Sequence, residues 1–265
     1  MPTRIKLALA ALSVASILAA TPLTSRAQDE EANIEFFYPV VTRRPVIERE
    51  LEVRTQSGKS PDGSAEHDFI GSIEYPILPW WQVELEVPVV ISNPIDTPSN
   101  AGFGDVTIEN KFRLWKSVQY RALVAAGFEL TLPSGSGSRG LGGTLAIEPF
   151  VTAGIALGPF DVIGELHYEW QLNTPAQGVR EQELAGNLAV GYPVHRLFTP
   201  FVELNTLVLV RGNDPFLQGA TQVYLTPGFN VKPLPGMTFR AGVQLPVTGE
   251  REFKWVAHTG LVWEF

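Results

Sequence analysis

The side chains in this sequence that could act as acids, bases or metal ligands are four histidines and many carboxylates. Three carboxylates lie at even spacings from His167, so a strand would place them on its face: Asp161, Glu165 and Glu169. Such a group could form an acid–base pair or hold a metal ion. No serine accompanies His167 on this stretch, and no second histidine lies close to it. We therefore expect neither an enzyme nor a metal or cofactor site.

Composition excludes several further classes of protein. The chain has no cysteine, which excludes a disulfide scaffold and any cysteine-ligated zinc or iron–sulfur site. Its net charge of −8 provides no basic surface for nucleic acid. The 24 glycines and 21 prolines favour many turns over long helices.

The first residues have the pattern of an export signal. Arg4 and Lys6 precede an apolar run over 7–20, and residues 25–27 offer small side chains at the positions that a signal peptidase reads. The run is too short to cross a bilayer as a helix. We predict that residues 1–27 are a signal peptide, removed on export across the inner membrane of a Gram-negative bacterium.

Alternation of apolar and polar residues dominates the rest of the chain. Between Trp81 and Ile91 the odd positions are apolar, while Gln82, Glu84 and Glu86 take the other face. Twelve such runs can be counted, most of about ten residues, the length of tilted strands that cross a bilayer. They are 47–56, 67–75, 81–91, 104–115, 120–132, 144–157, 160–172, 182–192, 198–210, 220–229, 237–246 and 253–265.

The connections between these runs alternate between short turns and longer polar loops, the first loop being expected over 57–66. This alternation is typical of an outer-membrane barrel with short periplasmic turns and longer external loops. Backbone groups in hydrocarbon need partners, so the strands must close into a ring. We predict an all-β protein, a 12-stranded antiparallel transmembrane β-barrel over 47–265, with both termini in the periplasm.

The last strand places Leu261, Trp263 and the terminal Phe265 on the lipid face. This ending resembles the C-terminal signature of outer-membrane barrel proteins. The resemblance implies that the barrel-assembly machinery reads these residues and that outer-membrane lipids surround the barrel.

The opposite faces of the strands supply the predicted lining of the lumen. The candidates are Glu84, Glu86, Asp105, Glu109, Lys111, Arg113, Arg121, Glu129, Glu165, His167 and Glu169. Acids outnumber bases on these faces, which predicts a wet interior that favours cations. A turn around Ser117 would place Arg113 opposite Arg121.

Two stretches leave alternatives open. Residues 28–46 contain Phe36-Phe37-Tyr38 and Arg43-Arg44-Pro45, and they form either a periplasmic segment or a partial plug. In the run 198–210, Phe201, Leu207 and Leu209 share a face with Glu203, so either apolar residues line part of the passage or the alternation slips.

Two passages carry a resemblance to a known family. Gly102-Phe103-Gly104-Asp105-Val106 is followed by Lys111-Phe112-Arg113-Leu114 and then by Leu130-Thr131-Leu132-Pro133-Ser134-Gly135. These residues are similar to those of a family of outer-membrane barrels that is named after a MetA-pathway of phenol degradation. The resemblance implies movement of small, often aromatic or hydrophobic, compounds. The glycine-rich stretch 133–143 has no P-loop lysine and is expected to be a flexible external loop.

Together these patterns predict a passive outer-membrane channel for a small-molecule solute. The first alternative is a plugged barrel with a structural or surface-interaction role. The second is a lipid-hydrolysing barrel enzyme, which lacks support because no His-Ser-Asn grouping like that of the outer-membrane phospholipases is present.

Overall fold

The computed structural model describes residues 34–173 and 179–265, so the predicted signal peptide lies outside the described residues. Within them, no helix is long and apolar enough to cross a membrane. The strands are β1 (Glu50–Lys59), β2 (Ala65–Leu78), β3 (Trp81–Asn93), β4 (Asn100–Phe103), β5 (Val106–Ser117), β6 (Ala122–Leu132), β7 (Ala146–Leu157), β8 (Phe160–Gln171), β9 (Gln182–Gly191), β10 (Phe198–Arg211), β11 (Thr221–Leu234), β12 (Met237–Pro246) and β13 (Trp255–Glu264).

The strands form one closed antiparallel sheet. β1 pairs with both β2 and β13, and the remaining strands pair in chain order between them. The short β4 and the longer β5 pair with different parts of β3, so together they make one wall strand. The wall therefore has twelve strands, which confirms the predicted outer-membrane type of barrel.

The connections lie at two ends of the barrel. At one end, here called the short-turn end, they span 79–80, 118–121, 158–159, 192–197 and 235–236. At the other, the loop end, the described parts span 60–64, 94–99, 133–145, 172–173, 179–181, 212–220 and 247–254. The first loop is shorter than expected because β1 and β2 stay paired beyond Ser57 and His67, as far as Lys59 and Ala65.

The wall is polar inside and apolar outside, the reverse of a soluble protein. On β10, Glu203 is 0% exposed and Asn205 4%, whereas Val202 is 40% and Leu204 42% exposed. Alternate side chains of a strand point to opposite faces, so every strand can place polar groups in the lumen and apolar groups on the outer surface. The outer surface is suited to hydrocarbon and not to water.

The outer surface leads to a first prediction. Replacing Leu204 with Arg near the middle of β10 should lower the free energy of unfolding in lipid vesicles by about 2–4 kcal/mol, because a charge then faces hydrocarbon. The matched variant Val210→Arg, at the loop end of the same strand, should cost only about 0–1 kcal/mol. Denaturant titration followed by tryptophan fluorescence measures both, and equal costs would contradict a lipid-facing belt.

Candidate functional site in the barrel lumen

A row of glutamates crosses the inner wall. Each member lies directly opposite the next on the neighbouring strand, from β13 through β1, β2, β3, β5 and β6 to β7. In this order, the glutamate row is Glu264, Glu50, Glu74, Glu84, Glu109, Glu129 and Glu148. It begins at the short-turn end on β13 and reaches the loop end on β7, because barrel strands tilt.

Adjacent glutamates of this kind repel one another. Like charges directly opposite in an antiparallel pair are destabilising, and burial makes unpaired carboxylates costly. Glu50, Glu84 and Glu109 are all buried. The row therefore requires positive charge inside the lumen. The wall itself supplies Lys111, whose Nζ lies 3.4 Å from Glu74 and 3.8 Å from Glu109.

The remaining positive charge comes from a segment that is not part of the wall. Residues 34–49, called the inserted segment below, contact strands on opposite sides of the barrel and so lie inside it. Both ends of this segment lie at the short-turn end. Glu35 Oε2 is 3.5 Å from Lys232 Nζ, and the Arg49 carbonyl accepts a hydrogen bond from the Phe265 amide. The segment enters and returns as a loop.

Arg43 forms ion pairs with the loop-end half of the glutamate row. Its Nε lies 2.8 Å from Glu109, and its Nη2 lies 3.0 Å from Glu129 and 2.6 Å from Glu148. Its Nη1 lies 2.8 Å from Glu165 of β8, which continues the acidic surface beyond the row. One guanidinium thus bridges carboxylates on four consecutive wall strands.

Arg44 and Tyr38 contact the carboxylates at the other end of the glutamate row. Arg44 Nη1 lies 2.5 Å from Glu48 and 3.8 Å from Glu50, and its guanidinium stacks 3.6 Å over the Tyr38 ring. The Tyr38 hydroxyl donates to Glu50 at 3.0 Å or to Glu264 at 2.6 Å. These groups hold two adjacent carboxylates at the point where β1 meets β13.

Wall side chains also bind the backbone of the inserted segment. Glu203 accepts hydrogen bonds from the amides of Val40 and Thr42, at 2.7 and 2.8 Å, and from the Thr42 hydroxyl. Asn230 accepts from the Tyr38 amide and donates to the Tyr38 carbonyl. This pairing satisfies polar backbone groups that would otherwise be orphaned in the lumen.

Aromatic rings of the inserted segment fit where the wall has no side chain. A Cβ on Gly154 would lie 2.8 Å from the Phe36 ring, and one on Gly191 would overlap Phe37. Phe37 also stacks on Phe201, with ring centroids 5.2 Å apart. Phe201, one of the apolar residues predicted to face the lumen in the run 198–210, is therefore covered by the inserted segment.

A central cavity of about 320 Å³ remains beside the segment. The predicted lining residues that border it are Glu84, Glu86, Glu109, Lys111, Glu129, Glu165 and His167. His167 Nδ1 lies 3.1 Å from Glu165 Oε1, and the same carboxylate binds Arg43. The structure adds residues that alternation could not assign to the lumen, above all Arg43 and Arg44.

Four predicted lining residues lie elsewhere. Glu169 lies nearer the loop end, opposite Glu183, and Asp105 binds a loop. The expected pairing of Arg113 with Arg121 is wrong: Arg113 is opposite Ala125. A register shift between Arg113 and Trp115 and a turn over 118–121 move Arg121 to the exposed short-turn end, where its φ is 44°.

A second, outer cavity of about 570 Å³ lies at the loop end. It is bordered by several acids, which include Glu181, Glu183, Asp214, Glu250 and Glu252. Burial raises the pKa of Glu252 above its usual value. The approach to the lumen from the loop end is thus acidic, like the central cavity.

The two sequence passages that carry the family resemblance contact each other at the loop end. Asp105 accepts hydrogen bonds from the amides of Gly135, Gly143 and Thr144, at 2.8, 2.9 and 2.7 Å. The Ser134 hydroxyl accepts one from the Val106 amide at 2.9 Å. The glycine-rich loop, expected to be flexible, has a defined set of contacts because one carboxylate gathers three of its amides.

A closed twelve-stranded wall with a polar lumen and an apolar exterior defines an outer-membrane-type β-barrel. The family model described as "Putative MetA-pathway of phenol degradation" matches residues 70–255, and the chain belongs to this family. No curated protein matches the sequence.

Solved structures share the fold at low sequence identity. An outer membrane channel from Pseudomonas putida is similar with a TM-score of 0.66 and 12% identity, covering 87% of this chain and 100% of that one. The NanC porin gives a TM-score of 0.57 at 13% identity, covering 82% and 100%. The KdgM porin gives 0.54 at 12% identity, covering 82% and 99%.

The contacts of Glu203 lead to a second prediction. The chain has no cysteine, so Val40→Cys introduces a single thiol inside the barrel. Its labelling should be slow, and adding Glu203→Ala should accelerate it about tenfold or more, because several backbone hydrogen bonds of the segment are lost. Glu183→Ala, a change at the outer cavity, is the matched control. Equal acceleration by both would show that Glu203 does not hold the segment.

A third prediction concerns the clamp formed by Asp105. In Asp105→Ala, three loop amides lose their acceptor, so trypsin should cleave after the exposed Arg139 about tenfold faster or more. Asp96→Ala, in the neighbouring loop, should leave the rate unchanged. Cleavage of reconstituted protein followed by gel electrophoresis measures the rates, and an unchanged rate in Asp105→Ala would contradict the clamp.

Proposed function

We propose that this protein is an outer-membrane channel of a Gram-negative bacterium through which small molecules pass passively, in either direction. The observation that carries the proposal is the polar lumen with cavities at its centre and its loop end inside a closed barrel. The similar folds of an outer membrane channel and two porins support it. In this proposal a cleaved signal peptide directs export, and the inserted segment narrows the passage.

The charge of the lumen supports a preference for cations. Carboxylates border both cavities, and electrostatics in a narrow passage then favours positive solutes. The KdgM porin has also been solved in complex with disordered oligogalacturonate, a polyanion. An anion of that kind would meet repulsion in the lumen of this protein, so we infer a different solute.

A small aromatic or hydrophobic solute is the second candidate. The family description names phenol degradation. The observation in its favour is an apolar part of the inner wall, formed by Leu123, Ile163, Ala189 and Phe201 and now covered by Phe36 and Phe37. A shift of the inserted segment would expose this surface to solute.

A plugged structural barrel is the alternative to a channel, and the inserted segment favours it, because this segment contacts opposite walls. In either case we expect lipid around the apolar belt. The C-terminal residues Leu261, Trp263 and Phe265 are 41%, 53% and 52% exposed, which supports recognition of this edge by the assembly machinery.

A fourth prediction tests the channel. The purified mature protein in a planar bilayer should conduct, and its reversal potential in a KCl gradient should lie towards that of potassium. Glu181→Gln combined with Glu250→Gln should reduce this preference, because both carboxylates border the outer cavity at the loop end. Asp96→Asn is the matched control in an exposed loop.

The absence of conductance would contradict a channel and support the plugged barrel. Liposome swelling with cationic, anionic and aromatic solutes of similar size would then rank the solute classes, and faster entry of phenol than of small cations would favour the second candidate.

A further inference from the structure

We propose that the wall around Arg43 is a recognition site for a guanidinium group, and that small solutes bearing this group are a substrate class of the channel. This inference deepens the proposed function and rests on it. Arg43 occupies the site as a tethered ligand that a solute would replace.

The geometry matches a guanidinium better than a simple ammonium. Each of the three nitrogens of Arg43 has its own carboxylate: Nε meets Glu109, Nη1 meets Glu165, and Nη2 meets Glu129 and Glu148. The Phe150 ring lies under the guanidinium carbon, 4.4 Å from it. A planar, delocalised cation with forked donors uses all of these groups, whereas an ammonium is a single point charge.

The site belongs to the wall and not to the inserted segment. Its carboxylates stand on four consecutive strands, β5 to β8, in fixed hydrogen-bonded register. Asn187 Nδ2 donates to Glu165 at 3.1 Å, and His167 contacts the same carboxylate at 3.1 Å. These wall groups contact Glu165 independently of the Arg43 side chain.

One buried carboxylate oxygen of the site lacks a hydrogen bond. Glu109 is 4% exposed, and its Oε1 accepts no hydrogen bond from the described residues, although Lys111 Nζ lies 3.8 Å away. Glu109 borders the central cavity of about 320 Å³, which has room for roughly ten waters. The cavity therefore has room for a small organic cation beside the carboxylates of the site.

The test removes the tethered ligand and offers a free one. Arg43→Ala is purified in detergent and titrated by calorimetry with methylguanidinium chloride and with methylammonium chloride. We expect methylguanidinium to bind about tenfold tighter or more than methylammonium. The unmodified protein, whose site is filled, should bind methylguanidinium at least about tenfold more weakly than the variant. Adding Glu148→Gln to Arg43→Ala should weaken binding about tenfold, whereas adding Asp96→Asn should not.

Equal binding of the two cations, or equal binding by parent and variant, would overturn the site. If Arg43→Ala does not fold alone, it is refolded with each cation. Recovery of folded protein with methylguanidinium but not with methylammonium supports the proposal. Recovery with both cations, or with neither, overturns it. Calorimetry measures binding without conduction, so the two proposals can fail separately. If the protein conducts but Arg43→Ala does not bind methylguanidinium, the guanidinium site is refuted and the channel is not. If Arg43→Ala binds methylguanidinium but the protein does not conduct, the channel is refuted.

Discussion

The structure depends on how negative charge is balanced inside the barrel. Seven glutamates lie opposite one another on neighbouring strands, and the register of the strands keeps them adjacent. Lys111 lies within ion-pair distance of only part of this row. Arg43 and Arg44 therefore have a structural role although they lie outside the strands: they pair with carboxylates of five wall strands that stand close together in a confined space. Removing one partner from such a network leaves buried charge uncompensated, which typically costs several kcal/mol.

The inner wall binds the inserted segment in the way that a binding site holds a ligand. Its wall recognises the segment through charge at Arg43, through the peptide backbone at Glu203 and Asn230, and through shape at the glycines that receive Phe36 and Phe37. These are the means by which proteins bind separate peptides and small molecules. In the proposed channel, the residues that hold the segment are also those that a passing solute would contact.

The barrel was predictable from the sequence because alternation and strand length are local properties. Once one strand is assigned, parity fixes which residues face inwards, and Glu84, Glu109, Glu129 and Glu165 follow. Alternation no longer predicts the facing residues beyond a bulge. The predicted pairing of Arg113 with Arg121 is wrong because the register shifts beside Arg113. The position of Arg43 was not predictable, because residues 34–49 have no periodicity and their contacts come from distant strands. The excess of acids over bases in the predicted lumen was the signal that could have pointed to the neighbouring Arg43-Arg44 pair.

The bond between Tyr38 and Glu264 joins residues 226 positions apart, at the two ends of the described chain. The contact of the inserted segment with Glu264 thus forms only when the last strand has joined the ring. Without β13, the Tyr38 hydroxyl loses Glu264 as an acceptor and retains Glu50, and β1 has an open edge. The inserted segment therefore spans the seam between the first and last strands of the ring, and its full set of contacts depends on closure of that seam.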